Sequence, residues 1–221
     1  MPSSSHYIFY LAPATVCLPV HWVLHELAPH GVTFEPRLVD FSSKAQRDPS
    51  YLALNPLGRV PVLVIDDQPI SECAAILLLL SERHPGANLA PTPASPDRPK
   101  LIETMILLAN SMLPAVRDWF YADTDGDPEG AKWVKAMAEK RMSDGFEVLN
   151  NQLEGNEYLV GNSATVADYL AVCLARYSRV FSKPGLEWEN VRGLVRRMIQ
   201  KPTWEQVNRL EGITGTWPQA L

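Results

Sequence analysis

A proline stands at the head of a short apolar β-branched run, Pro61-Val-Leu-Val-Ile65, directly after the turn-forming stretch Asn55-Pro-Leu-Gly-Arg-Val60. A loop therefore delivers the chain into a buried strand at Pro61. Proline donates no ladder hydrogen bond, so it belongs at a strand's first residue or edge, and an X-Pro bond is where a cis peptide costs least. If the Val60–Pro61 bond is cis, the turn leaves the Val60 N–H and C=O without strand partners. Buried backbone groups need partners, and an extended peptide laid alongside supplies both.

Asp66-Asp67-Gln68-Pro69 then turns the chain, and Ser71 precedes a helical run, which places Glu72 and Cys73 in the first helical turn. The free N–H groups of a helix start attract a carboxylate, while the Glu72 side chain can take the ammonium of the same ligand. The two halves describe a site for a small, zwitterionic, peptide-like molecule.

In these residues the chain resembles the cytosolic glutathione S-transferase family. There a cis-proline after a short aliphatic residue holds the cysteinyl backbone of glutathione, and an acid-Ser pair at the next helix holds its γ-glutamyl end. Val60, Pro61 and Glu72 match, and Arg59 adjoins them; Cys73 replaces the usual serine, and a thiol is the weaker donor.

A chain of 221 residues with 46% hydrophobic content suffices for two modest domains. Net charge −5 and pI near 5.5 carry no basic excess that would steer the chain to nucleic acid or anionic lipid. Cys17, Cys73 and Cys173, an odd and widely spaced set, suit a reducing compartment, and the start has no signal-peptide pattern. A cytoplasmic protein without a membrane span is expected.

Along the chain, Tyr7–Ala12 reads as a strand buried on both faces, a helix starts near Cys17 and stops by Pro29 and Gly31, and residues 33–40 read as a second strand. Tyr51–Leu54 reads as a short helix, 61–65 and 68–70 as strands, and 71–83 as a helix. This order resembles the thioredoxin-like domain of the family. Residues 85–100 are proline-rich and read as a linker. Beyond them everything reads helical: 101–121, with Ile102, Met105, Ile106, Ala109, Leu113, Val116 and Phe120 as one buried stripe; a helix opened by Asp127-Pro128 and running to about Leu153; one from Thr165 to Phe181; and two shorter ones split by Pro202. Thr165-Val-Ala-Asp168 is a capping box, and with Tyr158-Leu-Val-Gly161 before it reproduces a second feature of the family. The expected architecture is an α/β thioredoxin-like domain at 1–84, a linker at 85–100 and an all-α domain at 101–221.

The resemblance implies a glutathione transferase that activates the thiol of glutathione for attack on a hydrophobic electrophile, with a donor at the start of the first helix. Thr15, Cys17 and Tyr10 are the candidates. Pro13-Ala-Thr-Val-Cys-Leu-Pro-Val-His21 lines up with the Pro-Gly-Ala-Cys-Ser-Leu-Ala-Pro-His pattern of the bacterial beta class, which puts that class's cysteine on Val16 and its neighbouring serine on Cys17. The class's His-Lys pair falls on Leu113-Pro114. Thr15 is the hydroxyl best placed to act instead, Cys17 is a second candidate as a thiol at a helix start, and Tyr10 suits a strand core better.

Leu113, Trp119 and Tyr121 are the expected pocket for the electrophile. Glutathione enters as co-substrate, no cofactor or metal is implied, and the family's habit implies a homodimer. His21 and His25 lie four apart but lack an acidic or cysteine companion, and Arg192, Arg196, Arg197 and Lys201 read as a solvated face. Two alternatives share the scaffold: a non-catalytic transferase-like binding protein, and a glutathione-dependent isomerase of maleyl-type diacids, whose Ser-Ser-Cys motif survives only in Cys17.

Overall fold

The computed structural model describes residues 6–214, 217 and 218. Its elements in the thioredoxin-like part are β1 (His6–Leu11), α1 (Leu18–Leu27), β2 (Thr33–Leu38), α2 (Pro49–Leu52), β3 (Val62–Ile65), β4 (Gln68–Ser71) and α3 (Cys73–Arg83). There follow α4 (Arg98–Leu107), α5 (Leu113–Asp125), α6 (Ala131–Gln152), α7 (Val166–Tyr177), α8 (Glu189–Met198) and α9 (Pro202–Leu210). The described residues form two compact units, one of residues 6–90 with 201–214 and the other of residues 91–200 with 217 and 218. The expected division differs in two places. Residues 201–214 belong with the sheet rather than with the helices, and α4 begins inside the stretch read as linker.

In the first unit the sheet order is β2-β1-β3-β4, with β1 parallel to β2 and antiparallel to β3, and β3 antiparallel to β4. Both edge strands carry a proline, Pro36 in β2 and Pro69 in β4, where a missing ladder donor is tolerated. Asp66 and Asp67, at φ 50° and 61°, make the two-residue turn that sets Ile65 opposite Gln68. Strand β1 is not buried on both faces as expected: Tyr7, Phe9 and Leu11 are buried, whereas Ile8 and Tyr10 on the other face are half-buried.

Helix α9 joins this unit because α1 presents Trp22, whose ring lies 4.7 Å from that of Trp204 and whose Nε1 donates to Thr203 Oγ1 at 2.9 Å. Lys201 Nζ and Glu26 Oε2, 2.8 Å apart, close the same seam. Lys201 is thereby an interhelical partner and not part of a solvated basic face. Arg197 likewise lies over the Tyr158 ring, its centroid distance 5.4 Å.

In the second unit the helix expected at 101–121 is interrupted. Leu108–Met112 takes π geometry between α4 and α5, and the Leu113 N–H donates to the Leu108 carbonyl five residues back. Pro114 supplies the reason, since it cannot donate to a carbonyl four residues earlier and its ring crowds that turn. Gly145 on α6 makes room: a Cβ there would lie 2.7 Å from Met112 Cγ. The interruption also shifts the buried stripe. Leu101, Met105, Leu108, Met112 and Ala115 are buried, while Ile102, Ile106 and Phe120 are exposed.

Asp127 caps as expected, accepting from Glu129 N–H at 3.0 Å, but a 3₁₀ turn over Pro128–Gly130 precedes α6. Helix α7 is buried along its whole length and ends at Tyr177, short of Phe181, as a second 3₁₀ turn begins at Ser178. At its start the Thr165–Asp168 box is fully formed. The Asp168 carboxylate accepts from Thr165 N–H at 2.7 Å, Thr165 Oγ1 at 2.9 Å and Leu159 N–H at 2.9 Å.

Candidate active site

The strand register assembles the site. Val62 pairs with Tyr10 of β1 on one side and with Ser71 of β4 on the other. The chain leaving β1, the chain entering β3 and the chain leaving β4 therefore meet at one end of the sheet. They carry Thr15, Val60-Pro61 and Glu72-Cys73, respectively.

The Val60–Pro61 bond is cis. The loop before it is held from inside: Tyr51 Oη and Asn55 Nδ2 both donate to the Arg59 carbonyl at 2.8 Å, and Asn55 Oδ1 accepts from Leu57 N–H at 3.1 Å. Gly58, at φ 60°, is required, because a Cβ would lie 2.6 Å from the Gln46 carbonyl oxygen. Val60 is buried, and neither its N–H nor its C=O has a partner among the described residues. Arg59 is exposed and Pro61 buried.

Across the register, Glu72 is the N-cap of α3 and not a residue of its first turn: the helix starts at Cys73, later than expected, because Ser71 completes β4. Its φ of 72° and ψ of 112° are unusual for a residue with a side chain, a strain of order 1–3 kcal/mol that marks functional positions. Its carboxylate is exposed and neither caps the helix nor pairs with another described residue. Cys73 is buried, and burial pushes its thiol well above the ordinary range, so it stays protonated.

On the third loop the Thr15 hydroxyl donates to the Ala12 carbonyl at 2.7 Å, and its oxygen accepts from Cys17 N–H at 3.4 Å. Thr15 is half-buried. Cys17 is 0% exposed, and burial pushes its thiol up to about 12. A reactive thiol at a helix start, as sequence allowed, needs exposure and a depressed pKa; Cys17 has neither. Tyr10 stacks edge-on against Tyr51, and its hydroxyl accepts from Arg37 Nη1 at 3.1 Å, which makes it a packing residue on the face of an inner strand.

Two family models match the chain, the N-terminal domain of glutathione S-transferase over residues 12–82 and the C-terminal domain over 104–202. Glutathione S-transferase F10 of Arabidopsis thaliana is 31% identical over 68% of this chain and 72% of its own. The chain belongs to the glutathione S-transferase family. The transferase is also similar to glutathione S-transferase GstA of Escherichia coli O157:H7, 28% identical over 93% of this chain and 98% of that protein. Among solved structures, a sphingomonad glutathione S-transferase complexed with glutathione superposes with a TM-score of 0.79 at 25% identity, covering 94% of this chain and all of that one.

The residues expected to line an electrophile pocket lie in the transferase's second unit and divide. Trp119 donates from Nε1 to Glu139 Oε1 at 2.9 Å and packs its ring 5.1 Å from that of Phe181, so it is tied into its own unit. Leu113 is half-buried, and Tyr121 is exposed with the Arg117 guanidinium 4.3 Å above its ring. His21 is engaged by Glu211, its Nδ1 2.9 Å from Oε1. Among the described residues no three His, Cys, Asp or Glu side chains gather as a metal site, and no helix is long and apolar enough to cross a membrane. Sequence reasoning missed Glu211 altogether: its partners lie about two hundred positions away, and nothing local marks it.

Proposed function

We propose that the first unit binds glutathione along Arg59, Val60 and Pro61 and at Glu72 and Cys73, that Thr15 holds the thiolate, and that the thiolate adds to an apolar electrophile. The observation that carries this reading is a Val60 amide pair and a Glu72 carboxylate, both without partners among the described residues, at the same end of one sheet. An extended cysteinyl backbone satisfies the first, and the γ-glutamyl ammonium the second. Cys73, buried and protonated, gives a weak donor, so the γ-glutamyl carboxylate rests on the N–H groups at the start of α3. The sphingomonad relative, which holds glutathione, supports the ligand.

The chemistry asks little of the donor. A thiol of pKa about 8.5 is a few per cent ionised at neutral pH, and lowering it by one to two units needs roughly 1.4 to 2.7 kcal/mol. One hydrogen bond to a charged acceptor supplies about 1.5 to 3 kcal/mol. The Thr15 hydroxyl has one proton, which it gives to the Ala12 carbonyl; turning it to the thiolate exchanges a neutral acceptor for a charged one. The thiol proton leaves to solvent, sulfur forms a bond to the electrophilic carbon, and a leaving group such as chloride departs with its electron pair. Leu113 and Tyr121 are the proposed contacts for the electrophile, and the working form is proposed as a cytoplasmic homodimer.

The test is conjugation of glutathione to a chlorinated aromatic acceptor, run beside isomerisation of a maleyl keto-acid and retention on immobilised glutathione. Conjugation with retention is expected. Retention with isomerisation alone would replace the reading by the isomerase, and no retention by a non-catalytic binding protein.

A further inference from the structure

The buried carboxylate of Glu211 sits at the far end of α9, yet it bonds to the loop that carries Thr15. Its Oε2 accepts from the Ala14 N–H at 2.8 Å and its Oε1 lies 2.9 Å from His21 Nδ1 on α1. The Glu211 side chain is 0% exposed and that of His21 5%. Ala14 is held at φ 60°, a left-handed conformation that alanine avoids, and the charged acceptor on its N–H stabilises that conformation. The same carboxylate thus fixes the backbone one residue before Thr15 and, through His21, the helix three residues after it. The Glu211 position is in turn set by α9, whose Glu211 N–H donates to the Val207 carbonyl at 2.9 Å and whose Trp204 packs on Trp22.

We propose that Glu211 is a positioning residue for the transferase reaction: it clamps the residue 12–17 loop so that the Thr15 hydroxyl is aimed at the bound thiolate. This rests on the reading of Thr15 as the thiolate's donor. The clamp acts on the angle of that hydroxyl and not on the peptide-binding edge at Val60 or on Glu72, so it governs turnover rather than uptake.

Glu211→Asp keeps the charge and shortens the reach by one methylene, which leaves the two bonds unable to form together. Expected are a fall in kcat of roughly fivefold or more, a glutathione KM within about twofold, and a rise in the pKa of the bound thiol followed by thiolate absorbance. Because the charge is constant, that rise reports geometry; a merely structural role lowers Tm and leaves the thiol pKa where it was. In a Thr15→Ala background, adding Glu211→Asp is expected to change kcat less than about twofold, since the effect passes through Thr15. If Glu211→Asp does not fold, Glu211→Gln serves in the same cycle, with the kcat-against-KM split and the non-additivity as readouts. A full multiplicative loss in the double variant, or unchanged kcat and thiol pKa in the single one, overturns the inference. If Thr15→Ala alone leaves turnover unchanged, the reading of Thr15 falls and the clamp's catalytic role with it; if Thr15→Ala is impaired and the Glu211 variant is not, only the clamp falls.

Discussion

At the scale of single residues, the site is defined by backbone groups and carboxylates more than by reactive side chains. Neither cysteine near it is a nucleophile: Cys17 and Cys73 are both buried, and both thiols are held protonated. On the proposed reading, turnover rests on the Thr15 hydroxyl, on the loop after β1. Thr15→Ala is expected to lower kcat about tenfold or more while glutathione affinity stays within a few-fold, the split read from steady-state kinetics beside a binding titration. The turn into β3 at Val60-Pro61 and the helix start beside Glu72 were legible in the sequence because turn chemistry, a proline at a strand's head and a helix start are local signals. The burial of Cys17 was not, since a cysteine at a helix start reads the same whether the fold covers it or leaves it open.

At the scale of elements, caps and interruptions decide where the chain turns. The box at the head of α7 was legible from Thr165 and Asp168 alone, and the structure adds the third bond, from Leu159. Burial raises the Asp168 carboxyl to about 6 against those three hydrogen bonds, so the folded chain binds its proton more tightly than the unfolded chain does. Asp168 accordingly contributes most at low pH, and its contribution declines as pH rises from about 4 through about 6, by up to roughly 3 kcal/mol. His25, lowered to about 4 by burial, works in the opposite sense over an overlapping window. The difference in urea stability between the native chain and Asp168→Asn cancels His25; it is expected to shift in favour of the variant as pH rises across that window. A pH-independent difference would contradict the assignment. The π interruption escaped the sequence because a proline within an apolar helical pattern signals a break without saying which turn absorbs it.

For the whole molecule, the order of the chain and the order of the packing part company at α9. Sequence places Trp204 among helices that follow a linker, and the cover of Trp22, with the Lys201–Glu26 and Glu211–His21 pairs, brings it to the sheet-containing unit. Such pairings across most of the chain's length carry no local pattern, which is why the two-domain architecture was readable and its boundary near residue 200 was not. Trp204→Ala removes the buried ring that seals α1 and is expected to cost about 3–5 kcal/mol, read as a lower urea midpoint.

The central claim is that one end of the sheet clasps a tripeptide thiol between Val60 and Glu72. Calorimetric titration of glutathione into the native chain and into Glu72→Ala tests it most directly. One saturable site per chain is expected in the native protein, weakened roughly tenfold or more in the variant because an ammonium loses its charged partner. No heat of binding at millimolar glutathione, or equal affinity in the two proteins, would contradict it.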